Sequence, residues 1–364
     1  MLALRSSLLS IYTAALMTLG LVQGKTAYAQ EVPADVPNLT LKVAVSWPSV
    51  GFVADMIKSW TDNVTKKTDG KIKFQMFWSE SLFKVPDAAT SLAAGVADFS
   101  NVAATYDPAK TPLWMTLDMP FNARDYWCGI DASVKTAQDE PNLKQSFQNL
   151  GFMPVVGFSS GHFYFVSRTP VEKLADLQKK RIRSYGGARI KMYEPLSIAP
   201  IFMPYGQIYE ALERGVIDGA EGTVLLTDAF RHYEIAKFIT ETRSGTALSG
   251  PISVSLKRWN TFPESLKKIF FQAGIEHDQL FAQRMMQIEE TKLKEFSERH
   301  NMKVLKLPAA DQAAMEKAGA QAQEAWIVDM EKKNVPARAT WNYFKGLVNT
   351  CEKNVASNGY PWKK

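Results

Sequence analysis

The sequence predicts an α/β fold of two related lobes that are spanned by one long helix. Strand-like and helix-like segments alternate along the chain, which is typical of α/β domains. The phrase Gly-Val-x-Asp follows a helical run twice, at Gly95–Asp98 and at Gly215–Asp218, and a glycine ends a helix at little cost. Residues 263–300 contain no proline after Pro263 and one glycine, Gly274, so we expect a helix of roughly 50 Å there. Two similar units imply two lobes with a cleft between them.

Residues 1–29 have the features of a cleavable signal peptide. Arg5 precedes a mostly apolar stretch at residues 7–22, and Ala27-Tyr28-Ala29 fits the small-x-small cleavage rule. The apolar stretch is short and interrupted by Ser and Thr, which disfavours a membrane anchor. We therefore expect an exported protein that is not itself membrane-spanning, and a mature chain long enough for two domains.

The composition argues against nucleic acid as a partner. The formal net charge is +6, but Lys and Arg are spread along the chain without a basic tract. A modest positive balance is compatible with a small anionic ligand. The two cysteines, Cys128 and Cys351, would either pair in an oxidising compartment or remain separate buried thiols, and the sequence leaves both possibilities open.

The elements follow one another in an order that fits two lobes with largely parallel strand pairing. Strands are predicted at 41–45 and 71–77, with an amphipathic helix at 52–68 between them. A helix from about Pro86 leads to the first Gly-Val-x-Asp, and a final helix is predicted at 309–334. Gly/Ser-rich passages at 157–161 and 244–250 indicate where the chain crosses between lobes. The resulting division is lobe I at 39–158 plus 248–285, lobe II at 159–247 plus 286–335, and a C-terminal tail at 336–364.

Several motifs, in this order, resemble one family over about residues 40–340. They are Met119-Pro120-Phe121, Asp176-Leu177 followed by Arg181-Ile182-Arg183, and Tyr209-x-Ala211-Leu212-x-x-Gly215-Val216-x-Asp218-Gly219. Together with an export signal and a long spanning helix, they resemble the TRAP-transporter periplasmic solute-binding proteins of the DctP type. The resemblance implies a type II-like periplasmic binding protein fold and a periplasmic protein that captures an organic acid. It also implies transfer of that acid to small and large integral-membrane subunits without catalysis, and no cofactor is predicted.

The resemblance also implies a ligand site centred on Arg183, the family's specificity-setting arginine. A guanidinium offers a planar fork of donors that matches a carboxylate and does not lose its charge. Arg181 shares a strand face with Arg183, but its simpler interpretation is a solvated surface residue. The predicted ligand-binding residues are Arg183, Tyr205, Trp47, Phe52, Phe163, Tyr106, Glu221, Gly222 and Lys84.

Three positions depart from the family pattern and indicate a less polar ligand. Gly222 stands where the family commonly has an Asn, Phe163 stands where many members have an Arg, and Tyr205 stands where sialic-acid-type members have a stacking Phe. Close backbone approach or room for a bulkier ligand would explain the glycine. We therefore expect a carboxylate with an apolar, aromatic body, with Lys84 or water available to a second charge. Each aromatic residue taken alone is more often core than pocket.

A serine hydrolase is the alternative function. The stretch Gly157-Phe158-Ser159-Ser160-Gly161 matches G-x-S-x-G, but a nucleophile elbow needs a helix after the turn and residues 162–166 favour a strand. Metal binding is disfavoured because the His and Cys residues lack ligand spacing. Asp98 and Asp218 could be imagined as an acid/base pair, although the plainer interpretation is that each caps or turns the backbone beside its glycine.

Overall fold

The computed structural model describes residues 31–248 and 250–363, and the predicted signal peptide at 1–29 lies outside them. Eleven strands are present in the described residues. The strands are β1 (Leu39–Ala44), β2 (Ile72–Phe77), β3 (Phe99–Asn101), β4 (Phe152–Val156), β5 (Gly161–Ser167), β6 (Arg181–Ser184), β7 (Ala199–Phe202), β8 (Gly219–Gly222), β9 (Phe238–Ala247), β10 (Ile252–Ser255) and β11 (Lys303–Lys306).

The α-helices are distributed along the whole described chain. They are α1 (Phe52–Lys67), α2 (Ala88–Ala94), α3 (Tyr126–Asp139), α4 (Pro141–Leu150), α5 (Ala188–Tyr193), α6 (Ile208–Glu213), α7 (Val224–Ala229), α8 (Leu256–Trp259), α9 (Glu264–His300), α10 (Ala309–Glu331) and α11 (Ala337–Asn358). None of these helices is long and apolar enough to cross a membrane. The helices predicted at 52–68, 263–300 and 309–334 correspond to α1, α9 and α10 to within a few residues, so these three predictions are confirmed.

The strands form two sheets, one in each lobe. The first sheet has the order β2-β1-β3-β10-β4 and the second β11-β9-β5-β8-β6-β7. Pairing is mixed, because β10 runs antiparallel to β3 and β4, and β5 runs antiparallel to β8 and β9. Five of the nine strand pairs are parallel, so the expectation of largely parallel pairing is confirmed only in part. Both β5 and β10 enter a sheet directly from the other lobe, whereas parallel neighbours arise from helical crossovers within one sheet.

The repeated Gly-Val-x-Asp phrase has the same structural role in both sheets. Gly95 and Gly215 have φ of 79° and 65°, so the predicted left-handed glycines are confirmed. Asp98 accepts from the backbone N–H of Lys42 at 2.8 Å, and Asp218 accepts from that of Arg181 at 2.9 Å. Asp98 thus links β1 to β3, and Asp218 links β6 to β8. Each aspartate bonds to the adjacent parallel strand rather than to the backbone beside its own glycine.

The helix α9 is the element that joins the lobes. It has 37 residues and a length of roughly 55 Å. Glu276 of α9 pairs with Lys67 of α1 at 2.9 Å, and Lys292 of α9 pairs with Asp228 of α7 at 3.0 Å. The helix therefore contacts elements of both lobes, as predicted. The first crossing segment, 157–160 between β4 and β5, runs beside it, since the backbone N–H of Gly157 donates to Asp278 of α9 at 2.9 Å. The second crossing lies between β9 and β10.

The C-terminal segment, described from the sequence only as a tail, contains the helix α11. Thr340, Trp341, Phe344 and Val348 of this helix are buried. Cys351 forms a disulfide with Cys128 of α3, which settles the two alternatives that the sequence left open. The disulfide closes a loop with a sequence separation of 223 residues, and such a cross-link stabilises the fold mainly by restricting the unfolded chain. The residue-level boundaries of the lobes stay a prediction.

Two helical glycines provide a matched test of how tightly α9 packs against β4. A Cβ added at Gly274 would lie 2.5 Å from the carbonyl oxygen of Val155, whereas a Cβ at Gly346 of α11 meets nothing within 4 Å. We expect Gly274→Ala to lower the free energy of unfolding by about 1–3 kcal/mol, because the backbone carbonyl cannot move aside easily. Gly346→Ala should instead raise it by about 0.5–1 kcal/mol. Urea denaturation measures both, and equal effects would contradict the close packing of α9.

Candidate functional site

A cavity of about 280 Å³ lies between the two lobes. The first lobe contributes Trp47 after β1 and Tyr106 after β3, and the second contributes Tyr205 and Phe230. Ser160 of one crossing segment also borders it. A cavity lined from both lobes beside the crossing segments changes shape when the lobes move relative to each other, which is the arrangement of hinge-closing binding proteins.

Arg183 lies behind this cavity with its charge incompletely matched. Its side chain is fully buried. Its Nε donates to the carbonyl of Met203 and its Nη1 to the carbonyl of Glu221, both at 3.1 Å. In the described part of the chain, Nη2 has no acceptor and no carboxylate forms an ion pair with this guanidinium. An unpaired buried charge is costly, so this group calls for an anion that the protein itself does not supply.

Two tyrosine rings of the cavity wall pack against the guanidinium. The Cζ atom of Arg183 lies 4.0 Å from the ring centroid of Tyr185 and 4.9 Å from that of Tyr205. Both distances are within cation–π range. The rings stabilise the cation and keep water away from it without neutralising it.

Arg189, the other fully buried arginine nearby, has a complete set of partners. Its Nε donates to Glu221 Oε1 at 2.9 Å, its Nη2 also contacts Glu221, and Nη2 donates to Ser244 Oγ at 2.7 Å. Burial raises the pKa of Glu221, but the charge of Arg189 outweighs it and the net pKa lies below its ordinary value. Glu221 is therefore ionised and paired with Arg189, and it offers Arg183 only its backbone carbonyl.

The structure divides the predicted ligand-binding residues into two groups. Trp47, Tyr106 and Tyr205 line the cavity, and Arg183 and Gly222 lie directly behind its wall. The other residues lie away from the lining. Glu221 is paired with Arg189, and Phe52 packs against Phe281 at 5.3 Å between ring centroids. The ring centroid of Phe163 lies 3.5 Å from Arg189 Cζ, and Lys84 pairs with Glu80 at 3.3 Å on the surface.

Tyr106 connects the two walls of the cavity. Its hydroxyl oxygen accepts from the backbone N–H of Tyr205 at 3.2 Å. Burial raises the pKa of Tyr106, although the positive charge of Arg183 opposes that rise. The hydroxyl therefore remains protonated, and its hydrogen is available to a further acceptor.

The sequence analysis missed three aromatic residues at this site: Tyr185, Phe230 and His232. Tyr185 follows Arg183 by two positions, so the period of two in an extended segment could have placed it on the same face. His232 is buried, stacks on Tyr205 at 5.4 Å between centroids, and has no hydrogen-bond partner for either ring nitrogen among the described residues. Burial, together with the charge of Arg183, lowers the pKa of His232 to about 3. Nothing local in the sequence marks Phe230 or His232.

The Gly157–Gly161 stretch does not have the geometry of a nucleophile elbow. It connects β4 to β5, so a strand follows the serine where the elbow requires a helix. The side chain of Ser159 is fully buried, and its Oγ accepts from the backbone N–H of Gly161 at 3.2 Å. The stretch is a buried connection between the lobes.

A buried polar cluster next to this connection joins the lobes. Glu289 of α9 accepts from the hydroxyl of Tyr164 on β5 at 2.8 Å and from the hydroxyl of Tyr126 on α3. His162 Nδ1 lies 2.6 Å from the Tyr126 hydroxyl. Burial lowers the pKa of His162, but the hydrogen bond and charge of Glu289 outweigh it, so the net pKa is raised. Of the two tyrosines that donate to Glu289, Tyr126 belongs to the first lobe and Tyr164 to the second, so this carboxylate connects the lobes.

Comparison with known proteins adds a family and a set of related structures. A model of the bacterial extracellular solute-binding proteins, family 7, matches residues 44–328. A solute-binding protein of Sulfitobacter sp. (strain NAS-14.1) is 27% identical over 285 residues, which are 74% of this chain and 85% of that protein.

Two solved structures of TRAP solute-binding proteins share the two-lobed architecture. One, from a marine metagenome, is specific for aromatic acid ligands and contains 3-hydroxybenzoate; the TM-score is 0.78 at 20% identity, over 86% of this chain and 99% of that chain. The other, from Rhodoferax ferrireducens T118, contains copurified benzoate; the TM-score is 0.77 at 21% identity, over 88% and 100%. At these identities the likeness establishes the fold, and the predicted two-lobed α/β fold is confirmed.

The buried imidazole of His232 makes stability depend on pH. An imidazole in the unfolded chain titrates at about 6.5, whereas the pKa of His232 in the folded protein is about 3. Between these values the unfolded chain takes up a proton that the folded protein does not, so stability is lost as pH falls. We expect this group to lower the free energy of unfolding by about 2 kcal/mol from pH 7 to pH 5. His232→Phe should remove that part of the acid loss in urea denaturation, and an unchanged loss would contradict a neutral buried imidazole.

Proposed function

The chain belongs to family 7 of the bacterial extracellular solute-binding proteins, and from this premise we propose that it captures an aromatic monocarboxylate in the cavity between its lobes. The observation that carries the proposal is Arg183, whose buried charge lacks a carboxylate partner within the described chain and whose Nη2 lacks an acceptor. A ligand carboxylate supplies the missing charge and acceptor together. In a dry cavity this interaction is much stronger than in water.

The charges around the cavity favour one carboxylate rather than two. Among the described residues that line it, Glu80 is the single charged side chain, and none is a Lys, Arg or His. A second carboxylate would therefore meet no cation there and would lie near another negative charge. Lys84 pairs with Glu80 and is largely exposed, so it offers little compensation. Burying an unpaired second charge costs several kcal/mol.

The shape and chemistry of the lining favour an aromatic body. Trp47, Tyr106, Tyr185, Tyr205 and Phe230 present rings to the cavity. Offset or edge-to-face contacts with such rings add about 0.5–1.5 kcal/mol each beyond simple burial. A volume of about 280 Å³ corresponds to roughly nine water molecules of liquid, which suits a compact ring acid. The two related proteins that contain 3-hydroxybenzoate and benzoate support this ligand class.

The wider role follows from the family. We propose that the signal peptide directs the protein to the periplasm, and that the closed, loaded form delivers its acid to the small and large membrane subunits of a TRAP transporter. The lobes close by bending where the chain crosses between them, as at residues 157–160, while α9 maintains their connection. No catalytic step is proposed, because the buried Ser159 serves the hydrogen bonding of the connection.

Calorimetry with a panel of acids tests the proposed function. We expect benzoate and 3-hydroxybenzoate to bind more tightly than succinate, because succinate leaves one charge without a partner. Arg183→Lys keeps the charge but loses the fork of donors, and Arg183→Ala loses both, so affinity should fall in both and by about 2–5 kcal/mol in the second. Tighter binding of succinate than of benzoate would contradict the proposed ligand class.

The matched control for these variants is Arg181→Ala on the same strand. Arg181 is exposed and forms a surface pair with Asp218 at 3.0 Å, and such pairs contribute about 0–1 kcal/mol. We expect this control to retain the benzoate affinity of the wild type. Equal losses of benzoate affinity in the Arg181 and Arg183 variants would mean that the overall positive charge of the protein, rather than the buried guanidinium of Arg183, attracts the acid.

A further inference from the structure

We propose that Tyr205 and Gly222 form a specificity pair, in which Gly222 leaves room for the Tyr205 hydroxyl and that hydroxyl donates to the carboxylate held by Arg183. This inference rests on the proposed function and refines it. Stacking, the role predicted for Tyr205 from the sequence, concerns its ring. The inference concerns its hydroxyl, and it makes Gly222 a positioning residue that acts through Tyr205.

The close approach of the two residues is the first observation. A Cβ built on Gly222 would lie 2.5 Å from Tyr205 Oη, while the next nearest atom, Tyr205 Cζ, is at 3.6 Å. The first distance is much shorter than a van der Waals contact, and the second is an ordinary van der Waals contact. The hydroxyl oxygen therefore occupies the space that any other residue at position 222 would need, and only glycine is compatible with Tyr205 in this place.

The second observation is that the hydrogen of the Tyr205 hydroxyl has no acceptor. The hydroxyl is buried, and none of the described residues accepts a hydrogen bond from it. Burial raises the pKa of Tyr205 well above its ordinary value, and the neighbouring Tyr185 adds to the effect. The hydroxyl is therefore a neutral donor at any physiological pH. A buried hydroxyl without an acceptor costs free energy, which an incoming acceptor recovers.

The third observation places this donor beside Arg183. The Nη1 of Arg183 donates to the carbonyl of Glu221, and the Tyr205 hydroxyl lies against Gly222, so both groups meet at the Glu221–Gly222 peptide. The guanidinium carbon is 4.9 Å from the Tyr205 ring centroid. Two buried donors without acceptors, Nη2 and Oη, thus lie in one neighbourhood. The two oxygens of a carboxylate provide an acceptor for each of them, whereas an alcohol or amide of the same shape provides no charge for Arg183.

A double-mutant cycle with benzoate as the probe tests the pair. Tyr205→Phe removes the hydroxyl and retains the ring, and it should weaken benzoate binding by about 10–100-fold, the value of a hydrogen bond to a charged group. Gly222→Ala should weaken binding comparably, because it displaces the hydroxyl. In a Tyr205→Phe background Gly222→Ala should have little further effect, since the clashing atom is absent. Gly186→Ala is the control, because its Cβ would meet Thr105 O at an ordinary 3.6 Å.

The outcomes separate this inference from the proposed function. Wild-type protein that binds benzoate, with an unchanged affinity in Tyr205→Phe, would overturn the inference alone. Additive losses for Gly222→Ala and Tyr205→Phe would overturn the role of Gly222. If the hydroxyl contacts a ring substituent instead, Tyr205→Phe would weaken the binding of 3-hydroxybenzoate but not that of benzoate. That result would also overturn the inference. Wild-type protein that binds neither acid would contradict the proposed function, and the unliganded melting temperatures would still show whether Gly222→Ala destabilises the protein only when Tyr205 is present.

Discussion

A buried guanidinium without its own counter-charge is the constraint on which the site depends. Arg183 and Arg189 are both fully buried in the second lobe, but only Arg189 has a carboxylate, that of Glu221. The second sheet places Arg183 next to Glu221, because β6 carries Arg183, β8 carries Glu221 and the two strands are adjacent and parallel. Within the described chain, Arg189 is thus neutralised by a carboxylate and Arg183 has no counter-charge. Such an unpaired charge is costly to bury, which supports the proposal that a ligand carboxylate compensates it.

The architecture determines where that charge can be reached. Two sheets, each with an inner strand that enters from the other lobe, hold their strand ends against a common cavity. The repeated Gly-Val-x-Asp phrase anchors β3 in one sheet and β8 in the other, so an equivalent strand end approaches the cavity from each lobe. Around the crossing segments, Glu289 with Tyr126 and Tyr164, and Asp278 with the backbone of Gly157 at 2.9 Å, attach α9 to both lobes. In the proposed closure, the cation would stay fixed in the second lobe while the first lobe approaches it.

The sequence predicted most of the fold and singled out Arg183, the centre of the proposed site, but not the residues that surround it. Helix α9 and the left-handed glycines are set by local preferences, so they could be predicted. Arg183 was found through the family motif. Phe52 and Phe163 could not be separated from cavity residues, because a buried aromatic has the same local pattern in a core as in a pocket. The partner of Glu221 also depends on long-range packing, since Arg189 lies on α5 and Glu221 on β8.

Unfolding measurements on unliganded Arg183→Met and Arg189→Met test the central claim most directly. If Arg183 lacks a charge partner in the protein alone, replacing it by an apolar side chain of similar length should leave the free energy of unfolding within about 1 kcal/mol of the wild type or above it. The same change at Arg189 leaves the buried Glu221 carboxylate without a partner and should lower the free energy of unfolding by about 3–5 kcal/mol. Benzoate should raise the melting temperature of the wild type but not of Arg183→Met. A loss of stability in Arg183→Met as large as that in Arg189→Met would contradict the account, because it would make Arg183 a structural residue.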